Sequence, residues 1–242
     1  MSWFANWFDS SYYHILYKNR DEKEAELFIE NLITKLQIKK ESKLIDIACG
    51  KGRHATYFNS LGLDVTGVDL SPNSIATATK NENATLQFAV HDMREVYQKN
   101  SFDIATNLFT SFGYFEKVED EQKAINAMAS NLKSEGILII DFMNVKKVIT
   151  NLVPKEQKTI DNILFNITRK VENGHIIKDI EIIEGDKKQY FQEKVKALTL
   201  TDYSEFITTA GLKIFNIFGN YKLENFNATF SDRLILICKK WI

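Results

Sequence analysis

From residue 43 onward the chain repeats one unit: a short apolar run, a turn, and a stretch with helical spacing. "KLIDIA" (43–48) predicts a strand, and "RHATYFNSLG" (53–62) predicts a helix closed by Gly62. "DVTGVDL" (64–70) predicts the next strand, after which Ser71 caps a helix with Pro72 at its first position. "TLQFAVHD" (85–92), "FDIATNLF" (102–109) and "ILIIDFMN" (137–144) supply three more strands. Between the last two, "EDEQKAINAMASNLKSEG" (119–136) reads as a helix ending at Gly136. Strands that are apolar on both faces and alternate with helices need a parallel sheet covered on both sides. Right-handed crossovers then give an α/β, doubly wound, Rossmann-like fold whose ligands bind at the carboxyl ends of the strands.

The flanking segments differ from this pattern. Residues 21–38 place Ala25, Phe28, Ile29, Leu32, Ile33 and Leu36 three and four apart, one apolar helical stripe. Residues 159–200 carry the turn signals Asn173-Gly174 and Gly185-Asp186 between alternating runs, in which Ile163, Phe165 and Ile167 share a face, as do Ile176, Ile180 and Ile182. An antiparallel three-stranded insertion is expected there, with one face buried. A helix near 201–210 and strands at "LKIFNIFG" and "RLILICKK" then complete a seven-stranded, mostly parallel sheet. The expected organisation is a single domain over 1–242, comprising a helical cap (1–38), a cofactor-binding core (39–145), the antiparallel insertion as lid or dimer surface (146–200), and the last helix and two strands (201–242).

Composition narrows the partners. Lys+Arg 31 against Asp+Glu 32 gives a net charge of -1, so there is no global basic field to draw in nucleic acid or anionic lipid. Cys49 and Cys238 lie far apart and form no metal-binding spacing, which fits a reducing, cytoplasmic setting with no metal. The N-terminal "MSWFANWFDSSYY" lacks the basic region and apolar core of a signal peptide, and no apolar run is long enough to span a membrane.

The informative loop is "LIDIACGKGRHA" (44–55). Gly50, Gly52 and Ala55 match the dinucleotide pattern GxGxxG/A, a weak signal that leaves a nicotinamide-dependent oxidoreductase open. Asp46, near the end of the first strand, tilts the reading: a carboxylate repels a pyrophosphate but favours a ligand that carries an ammonium group, as S-adenosylmethionine does. Asp69 ends the second strand, where it can accept two ribose hydroxyl protons, and Asp92 follows the third, where it can accept an adenine amine.

With these residues in order, the sequence resembles the class I S-adenosylmethionine-dependent methyltransferases from about residue 40 to the C-terminus. "LIDIACGKG", "VTGVDLS", "FAVHDMRE" and "FDIATNLFTSFGYF" look like the family's first four motifs. The resemblance implies that Asp46, Ala48, Gly50 and Gly52 surround the methionine part, Asp69 the ribose and Leu70 one adenine face. It likewise implies Asp92 on the adenine amine, Met93 on the ring through its backbone N–H, and Asn107 and Leu108 beside the cofactor. Ala48 stands where many members have glycine, and Arg20 and Arg53 are weaker candidates for the cofactor carboxylate.

The insertion and the aromatic N-terminus are similar to those of small-molecule N-methyltransferases, including sugar N,N-dimethyltransferases. That subgroup often has Gly-His after the fourth strand; Gly113-Tyr114 here puts a histidine base in doubt. Tyr114, Tyr13 and His14 are the weak candidates for the acceptor side. "NLFT" replaces the Asn/Asp-Pro-Pro-aromatic segment of nucleic-acid amino methyltransferases, which argues against a nucleic-acid substrate. The expectation is therefore methyl transfer by in-line displacement to nitrogen or oxygen of a small molecule, by a monomer or homodimer. An interaction protein that keeps the fold without turnover is the remaining alternative.

Overall fold

The computed structural model describes residues 3–18 and 22–241. Two short helices, α1 (Trp3–Phe8) and α2 (Ser11–Leu16), precede the longer α3 (Glu22–Leu36). The core then runs β1 (Lys43–Ile47), α4 (Arg53–Ser60), β2 (Asp64–Asp69), α5 (Pro72–Ala78), β3 (Leu86–Val90), β4 (Phe102–Asn107), α6 (Val118–Asn131), β5 (Leu132–Met143) and α7 (Val145–Thr150). Four strands follow, β6 (Lys155–Ile160), β7 (Ile163–Glu172), β8 (His175–Glu184) and β9 (Lys187–Lys196), and α8 (Leu200–Thr209), β10 (Leu212–Phe218) and β11 (Arg233–Lys240) end the chain.

The main sheet has seven strands in the order β10-β11-β5-β4-β1-β2-β3. β1 to β5 pair in parallel, and β11 runs antiparallel between β5 and β10. The strand order reverses between β1 and β4, and it is at such a switch point that the carboxyl ends splay apart and leave a crevice. Both faces are covered. Phe28, Ile29 and Leu32 of α3 pack with Phe58 and Leu63 on one side, and Ile125 and Met128 of α6 pack with Tyr203 and Ile207 of α8 on the other.

Two local expectations change. The helix α6 ends at Asn131, five residues before Gly136, because the buried Asn131 side chain accepts from the backbone N–H groups of Tyr97 and Gln98, 2.9 Å each. β5 starts directly after it: Leu132 pairs with Phe102 and Ile137 with Ile104, so residues 133–136 form a bulge with Glu135 at φ 64. Gly136 belongs to that bulge, where a Cβ would meet the Lys133 carbonyl at 2.9 Å.

The insertion has four strands rather than three, in the order β6-β7-β8-β9. The extra edge strand is reached through Asp161 and Asn162, at φ 51 and 63. Two consecutive left-handed residues make a tight hairpin turn, a conformation Asp and Asn adopt at low cost without any glycine to mark it. As expected, Ile163, Phe165, Ile167, Ile180 and Ile182 are buried on one face, and Trp7 and Leu16 of the N-terminal helices cover them.

Candidate active site

At the carboxyl ends of β1, β2, β3 and β4 lies a cavity of about 420 Å³, within the size range of small-molecule and cofactor sites. Its floor is the loop after β1. Ala48, Gly50 and Gly52 all have positive φ, at 62, 55 and 79. In this curl the Gly50 N–H donates to Asp69 Oδ2 at 2.8 Å and the Gly52 N–H to the Cys49 carbonyl at 3.0 Å, so the loop folds back on itself at the start of α4. Ala48 holds a conformation that costs an L-residue with a Cβ about 1 kcal/mol relative to glycine, which is why glycine is the ordinary choice there.

Gly50 and Gly52 have different roles. A Cβ on Gly50 would meet nothing within 4 Å, whereas one on Gly52 would strike the Phe88 ring at 2.6 Å. Gly50 lines the cavity and Gly52 does not. Gly52 instead lets α4 pack close to β3, off the cavity wall where it was expected.

Asp69 lines the cavity. Its Oδ2 accepts from Gly50 N–H and its Oδ1 from Ser71 N–H, both at 2.8 Å. Burial raises its pKa despite these hydrogen bonds. Each oxygen keeps a further lone pair, so a vicinal diol can still bind bidentately. Ser71 also donates to Asp9, and Asn73 Nδ2 donates to the other Asp9 oxygen at 2.5 Å, which ties the N-terminal segment to the first turn of α5.

Leu70, Asp92 and Met93 line the adjoining wall, as do Ala48, Leu108 and Arg53. The Asp92 carboxylate is gripped by Arg94, which sequence reading passed over. Arg94 Nε lies 3.0 and 3.1 Å from its oxygens, and the Arg94 N–H donates at 2.9 Å. Burial works against ionisation, but Arg94 outweighs it and holds Asp92 below the usual carboxylate range.

Asp46 and Asn107, expected beside the cofactor, sit beneath the cavity rather than on its wall; their side chains are 2% and 0% exposed. Thr106 Oγ1 donates to Asp46 Oδ1 at 2.7 Å, while Oδ2 has no partner among the described residues. Burial pushes Asp46 up to about 7, against the Thr106 hydrogen bond. Asn107 Nδ2 donates to the Ile47 carbonyl at 3.0 Å, which joins β4 to the end of β1. Both residues brace the floor because a β-strand alternates its side chains and theirs point into the sheet's packed layers. Arg20 falls outside the described residues.

The wall after β4 is held under strain. Phe109 and Thr110 are both left-handed, at φ 56 and 63, a conformation rare for residues of their shape. Asp141, at the end of β5 and fully buried, fixes them: its Oδ2 accepts from Phe109 N–H at 2.9 Å and its carbonyl accepts from Thr110 N–H at 3.0 Å. Arg233 Nε donates to Asp141 Oδ1 at 2.7 Å, and the same guanidinium reaches Thr110 Oγ1 at 3.0 Å. Phe109 then stacks on His54, ring centroids 4.5 Å apart.

The far end of the cavity is aromatic. Phe8 from α1, Tyr13 from α2 and Tyr17 directly after α2 share this end with Tyr114 from the loop after β4. The Phe8 centroid lies 5.0 Å from those of both Tyr13 and Tyr114. Tyr114 donates its hydroxyl to the Thr110 carbonyl at 2.7 Å. His14 also lines this end, and β9 contributes Glu193, which sequence reading did not single out.

Comparison with known proteins agrees with this geometry. A family model described as "Methyltransferase domain" matches residues 38–197. The dTDP-3-amino-3,4,6-trideoxy-alpha-D-glucopyranose N,N-dimethyltransferase of Streptomyces venezuelae is 31% identical over 41% of this chain and 42% of its own. An S-adenosylmethionine-dependent methyltransferase of Clostridium acetobutylicum superposes with a TM-score of 0.79 at 19% identity, covering 99% of this chain and 98% of that one. An amino pentose methyltransferase of Micromonospora echinaspora, solved with S-adenosylmethionine bound, has a TM-score of 0.69 at 16% identity, covering 96% and 97%. These matches support neither a nicotinamide-dependent oxidoreductase nor an interaction protein without turnover. The glycine curl, the buried Asp69 carboxylate on the cavity wall and the family match converge: this chain belongs to the methyltransferase domain family and is an S-adenosylmethionine-dependent methyltransferase.

Proposed function

We propose that this methyltransferase acts on the amino nitrogen of a small molecule. The observation that carries the reading is the closure of the cavity's far end. The N-terminal helices, the loop after β4 and strand β9 converge there on an aromatic chamber whose size suits a small acceptor. The Streptomyces relative that shares 31% identity over part of the chain is named for transfer to an amino sugar, and this supports nitrogen over oxygen. No helix among the described residues is long and apolar enough to cross a membrane. The two buried, unpaired cysteines suit a reducing compartment such as the cytoplasm.

In this reading Ala48 and Gly50 hold the methionine part of the cofactor with Arg53 near its carboxylate. Asp69 takes the ribose hydroxyls, and Leu70, Asp92 and Met93 enclose the adenine. When bound, S-adenosylmethionine supplies a methyl group already activated by its sulfonium. The chain's own task is then to orient the acceptor, exclude water and remove a proton.

Calorimetric titration with S-adenosylmethionine, S-adenosylhomocysteine and NAD tests the cofactor assignment. The first two should bind and the third should not. Asp69→Ala should weaken S-adenosylhomocysteine binding by about 1–3 kcal/mol, the range for hydrogen bonds to a charged partner left unmade. Unchanged affinity in a folded Asp69→Ala protein would remove Asp69 from the ribose site. Radiolabelled methyl transfer to 3-amino-3-deoxyglucose but not to glucose would support the nitrogen acceptor; transfer to glucose alone would overturn it.

A further inference from the structure

The second sheet presents an apolar face to the N-terminal helices, built from Phe165, Ile167, Ile180, Ile182 and Phe191. Two charges interrupt it. Lys178 on β8 and Glu193 on β9 are directly paired across the strands, and their side chains are 12% and 14% exposed. Taking two charges out of water costs more than replacing them with apolar residues would, so the fold gains nothing obvious from having them there. Glu193 lines the cavity beside Tyr17, Tyr13, Phe8 and Tyr114.

The Glu193 carboxylate is fixed but not saturated. Trp7 Nε1 donates to Oε1 at 2.8 Å, and the Tyr17 hydroxyl lies 2.7 Å from Oε1 and 3.0 Å from Oε2. A phenol has one proton, and the shorter contact places it on Oε1. Lys178 Nζ donates to the Tyr17 oxygen and makes a long ion pair with Oε2 at 3.5 Å, which leaves room for a shorter hydrogen bond to that oxygen. Oε2 is therefore the oxygen left with lone-pair capacity. Burial lowers the Lys178 pKa, and Glu193 opposes this. Tyr114, the position where a base was sought, has its hydroxyl committed to the Thr110 carbonyl.

We infer that Glu193 Oε2 receives the N–H of the acceptor amine in the aromatic chamber, orients its nitrogen lone pair away from β9, and takes the amine proton on transfer. This rests on the amine reading above. The electrons balance: the nitrogen lone pair forms the new bond to the methyl carbon, the old carbon–sulfur pair returns to sulfur, and the N–H proton passes to the carboxylate. An amine carries positive charge near neutral pH and an alcohol does not, so the carboxylate attracts the nitrogen acceptor in preference to the oxygen one. Trp7 and Tyr17 are positioning residues that hold the carboxylate through Oε1, and Lys178 supports them through the Tyr17 oxygen.

The Trp7 indole N–H, bonded to the same carboxylate, is a built-in reporter. In ¹⁵N-labelled protein loaded with S-adenosylhomocysteine, this resonance is assigned with Trp7→Phe. It is then followed at pH 8 during titration with 3-amino-3-deoxyglucose and glycine, with glucose and glycolate as oxygen controls. A saturable shift with the amines and not with the controls is expected, together with at least tenfold weaker amine binding in Glu193→Gln. In that variant S-adenosylhomocysteine affinity should stay within about twofold. No amine-dependent shift, equal shifts from amines and oxygen controls, or unchanged amine affinity in Glu193→Gln would overturn the inference. The amine-versus-oxygen contrast in the wild-type protein decides the matter even if the variant folds poorly. Failure to bind S-adenosylhomocysteine would instead strike the cofactor assignment.

Discussion

Replacing Arg233 with methionine is the perturbation that most directly probes how the wall after β4 is held. Asp141 is completely buried and Arg233 is 18% exposed, with Nε 2.7 Å from Oδ1. Methionine keeps much of the side-chain volume but removes the charge. It leaves the Asp141 carboxylate with the Phe109 backbone N–H at 2.9 Å and the Tyr221 hydroxyl at 3.2 Å as its donors among the described residues. Breaking a buried pair on one side costs about 3–5 kcal/mol because a charge is left behind without its partner. That is a large share of the roughly 5–15 kcal/mol typical of a domain's total stability.

The double variant Arg233→Met/Asp141→Asn removes both charges, and the Asn carbonyl can still accept from Phe109 N–H. It should recover to within about 2 kcal/mol of wild type. Urea unfolding at pH 7, with unchanged slopes against denaturant, gives the three free energies. S-adenosylhomocysteine affinity should fall in the single variant, since Leu108 and Phe109 line the cavity and lose their tether. A single variant within about 1 kcal/mol of wild type, or a double variant no more stable than the single, would refute the view that this pair sustains two adjacent left-handed residues.

Two further substitutions separate packing from binding in the glycine curl. Gly52→Ala should destabilise the protein by about 2–4 kcal/mol, combining the left-handed penalty with overlap against Phe88, as read from a thermal melt. Gly50→Ala, with open space around it, should cost only about 1 kcal/mol of stability but abolish detectable S-adenosylhomocysteine binding by calorimetry. Asp46→Asn should change the pH dependence of stability. The folded state raises Asp46 to about 7, so it binds the proton more tightly than the unfolded chain, and wild-type stability is lost as pH rises from about 4 through 7. The unfolding free energy of the variant relative to wild type should therefore rise by on the order of 3–4 kcal/mol between pH 4 and pH 8; a flat difference would mean Asp46 is ionised throughout.

What the sequence disclosed follows the range of the forces involved. Strand and helix succession along residues 43–144 is written locally, in apolar periodicity and in Ser71-Pro72, and the parallel sheet follows from it. The acids at the strand ends are legible for the same reason, since each lies directly after its own apolar run. Periodicity could not separate wall from floor: Asp46 and Asn107 fall near strand ends like Asp69, yet sheet geometry turns them beneath the cavity. The hairpin at Asp161-Asn162 went unseen because neither residue is glycine, although both tolerate the left-handed region.

Arg94 was within reach, two residues from Asp92, and an Arg spaced to fork the preceding carboxylate is a local signal that can be read in advance. Glu193 was not. Its strand alternates as expected, but Glu193 is one of several acids in a charged run, and nothing adjacent distinguishes it from a solvated residue. Its partner Trp7 lies 186 positions away and Tyr17 176 positions away, so its burial comes from the N-terminal helices folding across the second sheet. In the proposed reading, the half of the site assigned to the cofactor is encoded in contiguous motifs, while the half assigned to the acceptor arises where distant segments meet. On that reading, substitutions at Trp7, Tyr17 or Lys178 change acceptor specificity and leave every cofactor motif untouched.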